Sequence, residues 1–134
     1  MMLYKNASQA IAAASWVQIT ASGAANQGLR GGSVGSSNFT APMYGIYHIE
    51  FGAYGSSSTV ASSFTVAIYL NGSIIIAGES NYSTAVNLPV SSRASATLVL
   101  NTNDIVTFYA QASGANFTVC NALGNCTFEV TQIH

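Results

Sequence analysis

The stretch Asn38-Phe-Thr-Ala-Pro-Met-Tyr-Gly-Ile-Tyr-His-Ile-Glu-Phe51 decides the fold that we expect for this chain. Pro42 has no backbone N–H to donate to a sheet, so it marks a corner rather than the interior of a strand. Gly45 gives the backbone conformational freedom just before the next strand. That strand places Tyr47, Ile49, Phe51 and Ala53 on one face and Ile46, His48 and Glu50 on the other. The alternation predicts a central strand with one face in a core and the other against a less apolar surface.

Later segments alternate in the same way. Residues 63–70, 94–100 and 105–111 each place apolar side chains at every second position, as expected for half-buried strands. Asn71-Gly72 directly follows the first of these segments and is a strong hairpin signal. No segment shows the period of an amphipathic helix. The sequence therefore predicts an all-β sandwich.

Phe39-Thr-Ala-Pro42, Gly45-x-Tyr47 and Phe51 together resemble the signature of the complement C1q-like globular domain, a relative of the tumour necrosis factor fold. Further motifs follow in that family's order: Ile68-Tyr-Leu-Asn-Gly72, Leu98-Val-Leu100, Asp104-Ile-Val-Thr-Phe108 and Phe128. The resemblance covers nearly the whole chain and implies a single domain over residues 1–134. It also implies a ten-stranded jelly roll, an all-β sandwich of two antiparallel sheets with five strands each.

Charge is scarce in this chain of 134 residues. Apolar residues make up 49% of it, but Asp, Glu, Lys and Arg together make up only 5%, and the net charge is −1. A typical domain has about 25% charged residues. Without clustered Lys and Arg, binding to nucleic acid or to an acidic membrane surface is not expected. Such a surface is either simply polar and uncharged or largely buried in an assembly, and the resemblance favours the assembly.

The resemblance also implies that the sheet containing the central strand faces a threefold axis. We therefore predict a homotrimer interface formed by Ile46, His48, Glu50, Val99 and Glu129. His48-x-Glu50 resembles part of a cupin metal site, but the only other histidine is His134, so we predict no metal and no cofactor. Three copies of His48 would meet near the axis, where packing or hydrogen bonding is favoured over a bound metal or anion.

Cys120 and Cys126 are six residues apart and flank Asn-Ala-Leu-Gly-Asn. They are either a disulfide across a turn or, if the chain stays in a reducing cytosol, two free thiols. A zinc site is not expected, because neither cysteine has nearby His or Cys partners.

Acid–base chemistry has few candidate groups in this sequence. The chain has one aspartate, Asp104, in a predicted turn, and no pair of carboxylates is spaced for joint catalysis. A Ser/His/Asp set cannot be assembled without the solitary His48. The scarcity of acidic loop residues also argues against calcium. We therefore predict that the protein is not an enzyme.

These observations lead to one predicted function and one alternative. The N-terminus, Met-Met-Leu-Tyr-Lys, shows no signal peptide, and no apolar run approaches the roughly 20 residues of a membrane span. We therefore expect synthesis in a cytosol and display on a virion surface, as a structural capsid decoration or fibre-head protein that serves host attachment. The alternative is a secreted or spore or cell-surface adhesin, although the chain has no Gly-X-Y stalk.

Either function requires partners at the exposed ends of the sandwich. The predicted partners are sister copies, other virion or surface-layer proteins, and a host-surface glycan or protein. The predicted recognition loops contain Ser56, Ser57, Asn81, Tyr82, Asn116 and Asn121.

Overall fold

The computed structural model describes residues 2–5, 8–20, 33–34, 38–57, 62–120 and 126–134. These residues form thirteen strand segments and no helix, so none of them lies in a helix that could span a membrane. The segments are β1 (Met2–Lys5), β2 (Gln9–Ile11), β3 (Trp16–Gln18), β4 (Ser33–Val34), β5 (Asn38–Thr40), β6 (Gly45–Ser57), β7 (Ser62–Leu70), β8 (Ser73–Ala77), β9 (Asn81–Ser83), β10 (Val90–Leu100), β11 (Ile105–Ser113), β12 (Phe117–Val119) and β13 (Cys126–Gln132).

The segments form two antiparallel sheets. The first sheet has the order β1-β13-β6-β12-β2, and β10 pairs with the other edge of β6. The second sheet has the order β4-β5-β11-β7-β8, with β3 paired to β11 and β9 paired to β7. The predicted all-β jelly roll of two antiparallel sheets is therefore confirmed.

The thirteen segments align in nine rows, four of which contain two segments each. Segments β12 and β13 follow one another along β6, β1 and β2 run along β13 and β12, and β8 and β9 run along β7. Segments β3 and β5 likewise lie along the same edge of β11, so the described residues give four rows in the first sheet and five in the second. The second sheet has the expected five, and the described part of the first sheet has one fewer.

Strand β6 is the centre of the first sheet, as its sequence predicts. It pairs with β10 over eleven residues, from Gly45 opposite Leu100 to Gly55 opposite Val90. Its burial alternates, with Tyr47, Ile49 and Phe51 completely buried. The chain enters β6 through a bend that begins at Pro42. The alternation fixes which face of β6 enters the core and which is left outside.

The core lies between the sheets and is rich in aromatic rings. Phe51 of the first sheet is 5.3 Å from Phe108 of the second and 4.9 Å from Phe128, measured between ring centroids. Phe64 stacks on Phe117 at 5.3 Å, again across the sheets. Burial of each such side chain stabilises the fold by about 1.5–3 kcal/mol. The two sheets are therefore held in a fixed relation, and each presents its opposite face outward.

The Asn71-Gly72 hairpin is also present. Both residues have positive φ angles, 50° and 83°, and connect β7 to β8. This is the backbone conformation that a two-residue turn requires at both positions.

Candidate functional site

The exposed side of the first sheet contains all five residues predicted for a subunit interface. Val99 is directly opposite Ile46 in the register of β10 and β6, and Glu129 is opposite Glu50 in that of β13 and β6. We call this surface the front face: Ile46, His48, Glu50, Gly52 and Tyr54 of β6, Arg93, Ser95, Thr97 and Val99 of β10, and Thr127, Glu129 and Thr131 of β13. The alternation of β6 brings these residues together, because every second side chain points away from the core.

One end of the front face is apolar. Val99 is 54% exposed and Ile46 37% exposed, and they are cross-strand neighbours. Ile133, 49% exposed, follows directly after β13, and its N–H donates to the Ile46 carbonyl at 2.7 Å. Three large aliphatic side chains thus lie exposed at the same end of one sheet. Contiguous exposed apolar surface of this kind is typical of a docking surface rather than of a free one.

The middle of the front face is polar. His48 lies between Thr97 and Thr131 in the register of the three strands. Its Nδ1 is 3.1 Å from Thr97 Oγ1, within hydrogen-bonding distance. Among the described residues, no three His, Cys, Asp or Glu side chains come together as a possible metal cluster. His48 is therefore equipped for hydrogen bonding on this face.

The charges of the front face form a compact group. Arg93 Nη1 donates to Glu50 Oε1 at 2.7 Å, and Glu129 is directly opposite Glu50 on β13. Like charges in opposite positions repel each other, so the guanidinium offsets an unfavourable carboxylate pair. Both members of the ion pair are substantially exposed, so the pair contributes at most about 1 kcal/mol to stability. Three of the seven charged residues of the chain lie here, which makes charge a distinguishing feature of this face.

A second surface, not predicted as a site, lies on the exposed side of the second sheet. We call it the back face: Trp16 and Gln18 of β3, Ser63, Thr65, Ala67 and Tyr69 of β7, and Ile105, Thr107, Tyr109, Gln111 and Ser113 of β11. The rings of Tyr69 and Tyr109 stack with centroids 4.2 Å apart. Trp16 meets Tyr69 edge-on, with a centroid distance of 6.3 Å and an angle of 65°.

The aromatic cluster has a chemical effect on its central member. Partial burial, together with the neighbouring Tyr109 hydroxyl, raises the pKa of Tyr69 above its ordinary value. Ala67 lies on the same face and is completely buried. The sequence carried a signal for this cluster, because Tyr69 and Tyr109 fall at the positions that alternate with core residues. Only the pairing of β3, β7 and β11 reveals that they join Trp16.

The predicted recognition loop at Ser56 and Ser57 is wrong. Both residues belong to β6, because that strand pairs with β12 as far as Ser57 opposite Phe117. Ser57 is completely buried, and its carbonyl accepts a hydrogen bond from the N–H of Asn87 at 3.0 Å. Neither residue is part of a free loop.

The other predicted loop residues have different outcomes. Asn81 and Tyr82 lie in the short strand β9 rather than in a loop, because β9 pairs with β7. Tyr82 is nevertheless 58% exposed, and Asn81 lines a polar cavity of about 350 Å³ together with Arg93. Asn116 is exposed, and its Oδ1 accepts a hydrogen bond from the N–H of Ala13 at 2.9 Å. Asn121 lies outside the described residues.

The two cysteines are joined. Cys120 and Cys126 form a disulfide with their Cα atoms 5.0 Å apart, and both are completely buried. The bond connects the end of β12 to the start of β13, and the N–H of Cys120 donates to the Tyr54 carbonyl at 2.9 Å. The two segments are thereby held in one row along β6.

Asp104 has a structural role. It accepts hydrogen bonds from Asn71 Nδ2 at 2.9 Å and from the N–H of Asn101 at 2.7 Å. These hydrogen bonds hold the pKa of the Asp104 carboxyl below its ordinary value. The carboxylate therefore links the turn before β11 to the hairpin after β7.

No family model matches the chain, and no curated protein matches it. Solved structures do. The globular domain of a zebrafish complement 1qA protein is similar with a TM-score of 0.63 and 12% identity, over 99% of this chain and 95% of that one. The Eiger tumour necrosis factor of S. frugiperda is similar with a TM-score of 0.67 and 11% identity, over 100% and 92%. Murine APRIL is similar with a TM-score of 0.58 and 12% identity, over 88% and 96%. At this identity the comparisons show the fold, a C1q/tumour necrosis factor-like jelly roll.

Proposed function

We propose that this C1q/tumour necrosis factor-like jelly roll is a non-enzymatic protein that forms homotrimers through its front face and is displayed on a particle surface. The particle that we favour is a virion, on which the trimer serves as a capsid decoration or fibre head for host attachment. The observation that carries the proposal is the convergence of Ile46, His48, Glu50, Val99 and Glu129 on one exposed face. The sequence resemblance directs that same sheet toward a threefold axis.

The chemistry of the front face suits association between copies. Ile46, Val99 and Ile133 are exposed in the single subunit, so their burial in an interface would remove apolar surface from water and favour association. The group of Glu50, Arg93 and Glu129 would act differently, because charged pairs at interfaces contribute mainly to orientation and to rejection of wrong partners. A ring of three identical heterologous contacts closes on itself and leaves no unpaired front face.

A secreted or cell-surface recognition module is the second candidate, and one observation favours it. The Cys120–Cys126 disulfide fits an oxidising environment, since such bonds are rare in proteins that stay in a reducing cytosol. Both candidates place the protein outside a cell. They differ in whether it is attached to a virion.

The test of trimer formation is the mass of the protein in solution, measured by light scattering after size-exclusion chromatography. A trimer of the 13.8 kDa chain has a mass of about three times that value. Val99→Lys should reduce the mass to that of one subunit, because it places a cation in the apolar end of the front face. Ile105→Lys is the matched control: it changes another exposed aliphatic residue, on the back face, and should leave the trimer intact.

Two results would contradict the proposal. One is a wild-type protein with the mass of a single subunit at all concentrations measured. The other is equal dissociation by Val99→Lys and Ile105→Lys, which would place the contact elsewhere. Electron microscopy of particles that co-purify with the trimer then separates the candidates, because only the virion protein decorates a capsid or fibre.

A further inference from the structure

The back face differs from the front face in two respects. Its outward residues include no Asp, Glu, Lys or Arg, whereas the front face carries Glu50, Arg93 and Glu129. It also carries a contiguous group of three aromatic rings, those of Trp16, Tyr69 and Tyr109. A half-buried cluster of rings with polar, uncharged neighbours is a specific chemical feature, and it points to a specific kind of ligand.

We propose that the back face binds a neutral oligosaccharide across Trp16, Tyr69 and Tyr109. A pyranose ring has an apolar face of C–H groups, which stacks on aromatic rings, and an edge of hydroxyl groups, which require hydrogen-bonding partners. The rim supplies such partners, since Thr65 and Thr107 have hydroxyl groups and Gln111 has an amide that both donates and accepts. The face therefore offers both kinds of contact that a sugar needs.

The arrangement of the rings suits this ligand. Tyr69 and Tyr109 stack on one another, with centroids 4.2 Å apart and planes 30° from parallel, and Trp16 stands at 65° to Tyr69. The completely buried Ala67 lies on the same face, where its small side chain leaves room for the rings to lie close to the sheet. A sugar ring would therefore stack on the face of Tyr109 that is turned away from Tyr69, and a second one would lie against Trp16.

The absence of charge selects among ligands. A sulfated or sialylated glycan, an acidic peptide or a nucleic acid requires Lys or Arg as a partner, and the described residues of the back face include neither. A neutral glycan has no such requirement. The same argument predicts different ligands for the two faces, because a partner held by charge would bind the front face.

This inference names the ligand class for the proposed attachment function. It rests on that function in one respect, because the avidity of glycan binding depends on the proposed trimer. The back face is on the opposite side of the sandwich from the front face, so it stays accessible when front faces are buried. A trimer then presents three such sites, and multivalent binding to a glycan-coated surface exceeds the affinity of one site by orders of magnitude.

The protein carries its own reporter for the experiment. Trp16 is the only tryptophan, so its fluorescence reports on the back face alone. We would titrate the protein with maltohexaose, cellohexaose, chitohexaose, mannohexaose and a galactose hexamer, and with sialyllactose and a heparin hexasaccharide as anionic probes. We expect a saturable change in emission with at least one neutral hexasaccharide and none with the anionic probes.

Variants then test the contacts by calorimetry. Tyr109→Ala should weaken binding of that hexasaccharide by about tenfold or more, as the loss of one stacking ring implies, and Tyr109→Phe should retain binding because the ring remains. Tyr44→Ala is the matched control, since Tyr44 is an exposed tyrosine in the bend before β6, a strand of the other sheet. Thermal unfolding of each variant shows whether it is folded. If Tyr109→Ala does not fold, Tyr109→Phe still tests the inference.

Several outcomes would overturn the inference. They are the absence of any response to the five neutral probes at about 10 mM, a response to the anionic probes alone, and equal loss of binding in Tyr109→Ala and Tyr44→Ala. Failure of the proposed function looks different. A single-subunit protein that binds the hexasaccharide keeps the inference and loses the trimer, whereas a trimer that binds none of them loses only the inference.

Discussion

The Cys120–Cys126 disulfide gives a stability prediction that follows from its place in the fold. The bond closes a loop between residues six apart in sequence, at the break between β12 and β13. Cross-linking a loop of that length removes conformational entropy from the unfolded chain worth about 2 kcal/mol at 25 °C. Both sulfurs are completely buried in the folded protein, so reduction also leaves two buried thiols where one bond had been. We therefore expect the reduced protein to be less stable by about 2 kcal/mol.

The measurement is thermal unfolding with and without a reductant, at one fixed protein concentration, since the melting temperature of an oligomer depends on concentration. For a chain of this length, a loss of 2 kcal/mol lowers the melting temperature by about 7 °C. Mass spectrometry of the alkylated protein establishes that the bond was reduced. The double variant Cys120→Ala/Cys126→Ala is the control, because a reductant should not move its melting temperature.

A wild-type protein that is shown to be fully reduced, yet melts within about 1 °C of the oxidised protein, would refute the reasoning. In that case the row formed by β12 and β13 is held by its pairing with β6 alone. The same result would weaken the argument for an oxidising environment, because the bond would then have little effect on stability.

Two further predictions concern the core and a turn. Phe51→Ala should destabilise the protein by about 3–5 kcal/mol in urea unfolding, because it removes the ring that contacts Phe108 of the opposite sheet and Phe128 of the same sheet; a loss below about 1 kcal/mol would show that the core can collapse around the cavity. Asp104→Asn should lower stability at neutral pH but not in acid. The pKa of Asp104 is depressed in the folded state, so its contribution is present above the unfolded value, near pH 4, and is lost as the pH falls through the folded value. Thermal unfolding of both proteins from neutral to acidic pH should therefore show a difference that shrinks in acid, and a difference independent of pH would contradict this role.

Much of the fold was predictable because its strongest signals are local. The alternation from Ile46 to Ala53 determined which side of β6 enters the core, and Asn71-Gly72 located a hairpin. The prediction that these five residues share the front face depended on only two facts. These are which alternate residues of each of the three strands point outward, and that the three strands belong to one sheet. The sequence pattern supplied the first and the family resemblance the second. Their role in a subunit interface remains a prediction.

What could not be predicted depends on long-range pairing. Ser57 follows Gly55-Ser56 and has the local character of a loop, but β12 pairs with it and buries it. Tyr69 and Tyr109 alternate with core residues, yet only their pairing places them beside Trp16. Local composition cannot specify which distant segment lies alongside, so exposed surfaces shared by several strands are the part of a β-sandwich hardest to infer from sequence.

The interrupted row along β6 makes this protein a ready scaffold for peptide display. Val119 pairs with Gly55 and Thr127 with Gly52, so β6 supplies two residues, 53 and 54, where the opposite row has seven, 120–126. The disulfide joins the two ends of this interruption, Cys120 and Cys126. We expect a foreign epitope inserted between the two cysteines to leave the register on either side and the aromatic core unchanged. The length of an insert and the stability of the sandwich can accordingly be varied independently of each other.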